Sequence, residues 1–183
     1  MIAMVIRPPR SSEVVAVHAA RERHDAKGSA MSVSPDTRPL APASVTSALG
    51  VLRAGGHRIS AARRLVLEAL FAADGPVSAD RLAGGLDGRL PGSDLASLYR
   101  NLDTLAEAGI VEHLHVPHRP GLYVLTGRAD GWAACEACGR VDALGRRTAA
   151  RLREAVRGAT GLEAGLAHFP LVGVCRACAE LRP

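Results

Sequence analysis

The sequence has few aromatic residues and no long apolar run. Phe, Trp and Tyr make up 3% of the 183 residues, so a core has to be built from Leu, Val and Ala. Small domains with such cores are marginally stable unless a metal or a partner chain stabilises them. No stretch approaches the roughly 18 to 20 apolar residues that span a bilayer, and the first residues lack the pattern of a secretion signal. We therefore expect a cytoplasmic protein with no membrane partner.

Acidic residues are absent from one short basic stretch. Four arginines, Arg53, Arg58, Arg63 and Arg64, occur within twelve residues that contain no acid. The net charge of +5 favours an anionic partner, but residues 44–115 hold seven arginines against eight acids and are not basic overall. The arginine cluster therefore fits either contacts with a DNA backbone or an ordinary solvated helix face.

Patterns typical of enzymes are also missing. The chain has no Gly-rich phosphate loop, no His-Glu-x-x-His helix and no nucleophile-base-orienter pattern. A zinc hydrolase needs an open coordination position, whereas four cysteine ligands close the coordination sphere. We expect a binding protein and not an enzyme.

The first part of the chain divides into an extension and a predicted domain. Residues 1–43 mix Pro, Ser, Arg and Ala without an apolar period, which predicts a flexible N-terminal extension. Caps and apolar periods then predict helices at 45–53, 61–72, 79–86 and 94–108, and strands from 110 and at 122–125. Helices followed by a β-hairpin are the layout of a winged helix-turn-helix, which we assign to residues 44–126.

The last of these helices has two distinct faces. Ser93 is the predicted N-cap, and an apolar stripe expected to face the core consists of Leu95, Leu98, Leu102 and Leu105. The opposite face carries polar residues and Tyr: Asp94, Ser97, Tyr99, Arg100 and Asp103. Such a face can meet the major groove of DNA, where Asp94 would be unfavourable beside phosphates.

Residues 127–183 read as a second, smaller α/β unit. The pattern predicts a hairpin at 132–135 and 140–144, a helix at 148–158 and a strand at 171–174. Two Cys-x-x-Cys pairs flank most of this unit: Cys135, Cys138, Cys175 and Cys178. Closing both pairs onto one ion would cross-link nearly the whole unit.

The cysteine pairs are most typical of a structural Zn²⁺ site. In a reducing compartment, cysteines in this pattern bind metal more often than they form disulfides. Iron in a rubredoxin-like site, disulfides and free thiols are the alternatives. A thioredoxin-like dithiol is disfavoured because neither pair opens a helix after a strand in a βαβ pattern.

An ordered set of motifs resembles the ferric uptake regulator (Fur) superfamily of metal-responsive repressors. The motifs are Arg58-Ile-Ser-Ala-Ala-Arg-Arg-Leu-Val-Leu, the run from Ser97 to Val111, Tyr123 and the two cysteine pairs. The resemblance implies an α+β protein, with an N-terminal winged helix-turn-helix and a small α/β dimerisation domain held together by a structural zinc site. It also implies a homodimer that binds double-stranded DNA at inverted-repeat operators.

The resemblance assigns DNA-binding residues to two helices. Ser97, Tyr99 and Arg100 match the recognition-helix motif, and the latter two can reach phosphates or base edges in the major groove. Arg58, Arg63 and Arg64 suit contacts with the DNA backbone. A half-buried core position is the alternative for Tyr99.

The chain departs from this family where metal is usually sensed. The His-rich run before the first cysteine pair is replaced by Ala129-Asp130-Gly131-Trp132, and Pro76 stands where a helix-borne histidine is expected. Trp cannot coordinate a divalent ion. The residues left for a second divalent metal site are Glu112, His113, His115, His118, Asp130 and His168. On a strand, His113 and His115 share one face and Glu112 faces away, so these three cannot all be ligands without a bend.

Several functions therefore remain open. The main prediction is a DNA-binding regulator, which is either a rearranged metal sensor, a regulator with another effector or a constitutive DNA binder. Peroxide sensing is disfavoured, because it requires iron bound by oxidisable histidines. The alternative from another class is a protein-interaction module that keeps the zinc site and has lost DNA recognition.

Overall fold

The computed structural model describes residues 41–181. Residues 1–40 of the predicted extension lie outside this range. In chain order the elements are α1 (Val45–Ala54), α2 (Ala61–Ala72), β1 (Val77–Ser78), α3 (Ala79–Ala83), α4 (Leu95–Glu107), β2 (Val111–Leu114), β3 (Leu122–Leu125), β4 (Gly131–Cys135), β5 (Val141–Leu144), α5 (Arg146–Thr160), β6 (Leu171–Gly173) and α6 (Arg176–Glu180). Across the described range, no helix has the length and apolar character needed to span a membrane.

The first two helices begin at the predicted residues, and each follows a serine cap. Ser44 and Ser47 form a reciprocal capping box at the start of α1. The Ser60 hydroxyl accepts a bond from the Arg63 amide at 3.2 Å, which confirms Ser60 as the N-cap of α2. Both helices bury an apolar face against the core of the first half of the chain.

The third helix is shorter than the sequence predicts. It ends at Ala83 and not at residue 86, because the chain enters a turn at Gly85–Gly88 in which Leu86 and Asp87 have φ of 54° and 65°. Gly85 permits this path, since a Cβ there would lie 1.9 Å from the Leu90 carbonyl oxygen. With this turn, the Leu86 side chain is fully buried and belongs to the main hydrophobic core.

The fourth helix, α4, corrects two predictions. Its N-cap is Asp94 and not Ser93, because the Asp94 carboxylate accepts a bond from the Ser97 amide at 2.7 Å. Leu95 is 39% exposed and does not belong to the buried stripe, which is formed by Leu98, Leu102 and Leu105. The chain thus enters the core one turn later than predicted, and Asp94 has a structural role at the helix start.

The first sheet contains a strand that the sequence did not predict. β1 pairs with β3 to give the order β1-β3-β2, with both pairings antiparallel. Two residues are too few for strand alternation to be visible in a sequence. The register places His113 opposite Tyr123. Helices α2, α3 and α4 with this sheet form a winged helix, and we call residues 115–121, which connect β2 to β3, the wing.

The second sheet has the order β5-β4-β6, with β6 parallel to β4. The predicted helix at 148–158 extends to Arg146–Thr160 and ends where Gly161 adopts φ of 73°. The last strand ends at Gly173, one residue before its predicted end. The short helix α6 after Cys175 was not predicted.

A small apolar cluster connects the two sheets. Leu114 and Val124 from the first sheet pack with Trp132 from the second, and Trp132 is 3% exposed. We call this cluster the joint. The predicted boundary between residues 126 and 127 lies next to it. That boundary stays a prediction, because the joint buries residues from both sides of it.

Candidate zinc centre and nucleic-acid interface

The fold brings the four cysteines together. Cys135 ends β4, Cys138 follows in the turn, and Cys175 is the N-cap of α6, which contains Cys178. Their sulfur atoms all lie within 4.8 Å of one another, and the Sγ atoms of Cys138 and Cys175 are 3.9 Å apart. A tetrahedral zinc ion with Zn–S bonds of about 2.3 Å requires S–S separations of about 3.8 Å. The cluster therefore fits structural zinc, whereas a disulfide requires about 2.05 Å.

Backbone amides prepare this cluster for a cation. Hydrogen bonds from the N–H groups of Cys138 and Cys175, the latter at 3.3 Å, lower the pKa of the Cys135 thiol to about 6. Sulfur hydrogen bonds with Cys175 and Cys138 raise the pKa of Cys178 to about 12. Without a metal, the Cys135 thiol thus loses its proton at a much lower pH than the Cys178 thiol. A zinc ion supplies the positive charge that stabilises all four thiolates at once.

The exposed face of α4 carries the predicted DNA-binding residues. Tyr99 is 42% exposed, so its side chain is not the half-buried core residue of the alternative interpretation. Arg100 is also exposed, while Ser97 is half-buried at the helix start. Opposite them, the buried leucines fix the helix against the core. Tyr99 and Arg100 thus lie on the solvent-facing side of a helix whose other side is packed into the core.

Arg63 has a different environment from the other arginines of its cluster. Its Nε donates to the Asn101 Oδ1 at 3.2 Å and its Nη2 to the Thr104 Oγ1 at 3.3 Å, and it also bonds the Arg58 carbonyl. These bonds connect α2 to α4 and orient the exposed face of α4. The side chains of Arg58 and Arg64 remain exposed.

Three histidines cluster beside the joint. The His168 ring Nδ1 donates to the His113 carbonyl oxygen at 2.7 Å, and the His115 amide donates to the His168 carbonyl at 2.9 Å. The His113 ring lies 5.6 Å from the His168 ring and 6.4 Å from the His115 ring, measured between centroids. It also stacks on Tyr123 at 4.9 Å. Strand β2 and the segment before β6 are thus held together by these contacts.

The other predicted ligands of a second metal do not complete a site with these rings. In the part of the chain from 41 to 181, the four cysteines are the one group of His, Cys, Asp or Glu residues whose ligand atoms converge. His118 lies in the wing with φ of 59°, and the Asp130 carbonyl accepts a bond from Arg153. Burial, followed by the charges of His168 and His115, lowers the pKa of His113, which favours its neutral form at pH 7.

The ferric uptake regulator family model matches residues 54–167. The chain belongs to this family. Members of the family are metal-responsive transcriptional regulators. The peroxide operon regulator of Bacillus subtilis (strain 168) is 25% identical over 141 residues, which cover 77% of this chain and 97% of that protein. The peroxide-responsive repressor PerR of Staphylococcus epidermidis is 22% identical over 129 residues, covering 70% and 86% of the two chains.

Solved structures confirm the predicted α+β fold of this Fur-family chain. The Fur protein of Helicobacter pylori, whose structure reveals three functional metal binding sites, superposes with a TM-score of 0.59 at 16% identity and covers 76% of this chain and 96% of its own. The manganese-bound regulator of Pseudomonas aeruginosa gives a TM-score of 0.54 at 24% identity, covering 70% and 97%. At these identities the likeness establishes the fold alone.

Two features of this Fur-family member were missed by sequence reasoning. Trp132 is buried in the joint, although its sequence position indicated only a lost metal ligand. Arg119 of the wing donates through Nη2 to the Ala137 carbonyl oxygen in the first cysteine pair, at 2.8 Å. The only sequence signal for the role of Trp132 was that it is the single Trp of the chain. Nothing in the sequence indicated the bond from Arg119 to Ala137.

Proposed function

We propose that this protein is a dimeric transcriptional regulator that binds inverted-repeat DNA through α4 and requires no second metal to do so. The exposed Tyr99 and Arg100 on a helix oriented by Arg63 carry the proposal for DNA binding. Arg58 and Arg64 supply additional positive charge for the DNA backbone. The tetrathiolate zinc site supports the fold, and repression follows if the operator overlaps a promoter.

The joint supports DNA binding without a second metal. In the position where the family resemblance places sensory histidines, this chain has Trp132, which is 3% exposed and packs against Leu114 and Val124. Burial of an indole between two sheets holds them together without coordination chemistry. We infer that apolar packing fixes the orientation of the winged helix that a bound metal would otherwise fix.

Exposed apolar residues in the second half of the chain support a dimer. Leu171 and Val172 on β6 are 48% and 37% exposed, and Phe169 before the strand is 60% exposed. β6 is an edge strand of its sheet, so its outer backbone groups are also available for pairing. Exposed apolar side chains beside an open edge are typical of a surface that a second copy covers.

Substitution of Arg100 tests DNA binding by α4. We expect Arg100→Ala to raise the Kd for an inverted-repeat duplex by about tenfold, because one phosphate or base contact is worth about 1 to 3 kcal/mol. Fluorescence anisotropy at several salt concentrations measures this change. If Arg100 contacts a phosphate, the slope of log K against log salt should also fall by about 1.

Arg151→Ala is the matched control for this test, since it removes an exposed arginine from α5, outside the winged helix. Its Kd should equal that of the native protein. Sedimentation should show two subunits per inverted repeat. Weak binding to every duplex, unaltered by Arg100→Ala, would eliminate sequence-specific DNA binding and favour the protein-interaction module.

A metal-sensing regulator is the second candidate function, favoured by the proximity of the His113, His115 and His168 rings. Under our main proposal, adding Mn²⁺ or Fe²⁺ to the zinc-loaded protein should leave its DNA affinity unchanged within about twofold, since a ligand without differential affinity shifts no equilibrium. A large gain in affinity that His115→Ala abolishes, and His57→Ala does not, would instead establish a rearranged metal sensor.

A further inference from the structure

The wing contacts the first cysteine pair through one arginine. Arg119 lies in the wing, and its Nη2 donates to the Ala137 carbonyl oxygen at 2.8 Å. Ala137 stands between Cys135 and Cys138 in the turn that positions their sulfur atoms. The guanidinium is 18 residues away in sequence from this carbonyl, so the contact joins the loop of one sheet to the metal-binding turn of the next.

The contacted carbonyl belongs to the peptide group that precedes Cys138. The carbonyl of Ala137 and the N–H of Cys138 form one planar peptide unit, which lies between the two cysteines of the first pair. A positive guanidinium at the oxygen polarises this unit and makes its N–H a stronger donor toward a nearby thiolate. Arg119 is therefore coupled through a single peptide to a predicted zinc ligand.

Gly139 gives the guanidinium room beside this turn. Its φ is 77°, and a Cβ at this position would lie 2.6 Å from both Cζ and Nη1 of Arg119. The arginine thus lies directly against the backbone of the turn. The Arg119 backbone N–H donates to the Val116 carbonyl oxygen at 3.2 Å, so the Arg119 side chain extends from a hydrogen-bonded turn within the wing.

We propose that Arg119 is a positioning residue that ties the wing to the zinc centre, so that zinc retention and the position of the wing depend on each other. This proposal rests on the proposed function only for a role of the wing near DNA. The contact itself involves only the wing and the zinc-binding turn. Arg119 has no place in the predicted set of zinc ligands or DNA contacts.

Zinc release and amide exchange test this coupling without DNA. In the full-length zinc-loaded protein, we expect Arg119→Ala to accelerate zinc transfer to an excess of chelator by about three- to tenfold, since a charged hydrogen bond that is exposed to water is weakened but not lost. Hydrogen exchange of the amides in residues 115–121 should also become faster. Because the Arg119 side chain is exposed, the variant should retain the native circular dichroism.

Arg140→Ala is the control for charge alone. Arg140 also lies near the sulfurs of Cys175 and Cys138, but its guanidinium pairs with Asp142 at 2.8 Å and has no bond to Ala137. It should leave exchange in the wing unaltered and affect zinc release less than Arg119→Ala. Equal acceleration by both variants, or native exchange in the wing of Arg119→Ala, would overturn the proposed tie. Neither readout depends on DNA binding, so failure of the proposed function would appear separately in the anisotropy measurements.

Discussion

Replacing Cys175 with Ser is expected to abolish stable zinc binding and to unfold the second sheet with its helices. Cys175 begins α6, and its amide also donates to the Cys135 sulfur, so it holds the C-terminal segment against β4. A structural zinc site contributes on the order of 10 kcal/mol, more than a small domain has in reserve. The zinc content per subunit should fall from one to near zero, and fluorescence of Trp132 should shift to that of an exposed indole.

The neighbouring substitution Arg176→Ala provides the control for this result. Arg176 is the first residue of α6 and makes only an exposed ion pair with Glu180 at 2.9 Å, a contact worth little in water. The Arg176→Ala variant should have the same zinc content and melting temperature as the native protein. A Cys175→Ser protein that remains folded without metal would contradict the structural role assigned to zinc.

The zinc cluster could be predicted from sequence because each pair of ligands is specified by a short local motif. Each Cys-x-x-Cys pair fixes two sulfurs on one turn, and the predicted helix and strands between the pairs allow both turns to meet. The same holds for Ser60, whose cap bond spans three residues. The α+β class likewise followed from apolar periods within single segments.

The errors arose where neighbouring residues offered equivalent signals. Ser93 and Asp94 are both good N-caps, and only the path of the preceding loop decides in favour of Asp94. The position of Leu95 in an apolar series indicated burial, but a helix stripe is buried only as far as the core extends. The turn at Leu86 depends on packing by distant residues, which no local pattern reports.

Contacts between the two sheets were the least predictable part of the candidate site. The bond from Arg119 to Ala137 joins two loops, whose relative position depends on both sheets. Trp132 appeared in the sequence only as a missing ligand. In the structure its side chain is buried against Leu114 and Val124. In the function we propose, this packing holds the two sheets together without a second metal.

Trp132→Ala is expected to lower the free energy of unfolding by about 3 to 5 kcal/mol, the range for removing a buried Trp or Phe side chain. The cavity would open between the two sheets, where Leu114 and Val124 would lose their main partner. Urea unfolding followed by circular dichroism measures the effect, since the variant has no Trp for fluorescence. DNA affinity should also fall, because the joint would no longer fix the orientation of the winged helix.

Trp132→Phe separates apolar packing from hydrogen bonding at the joint. Within the described residues the Trp132 Nε1 has no hydrogen-bond partner, so replacing the indole by a phenyl ring removes no bond. We expect this variant to lose only about 1 to 2 kcal/mol, because the phenyl ring leaves a smaller cavity than alanine does, and to bind DNA like the native protein. An equal loss for Phe and Ala would show that the indole N–H matters, for instance through a buried water. Native stability of Trp132→Ala would show that the joint is not held by apolar packing, and the case for DNA binding without a second metal would lose its support.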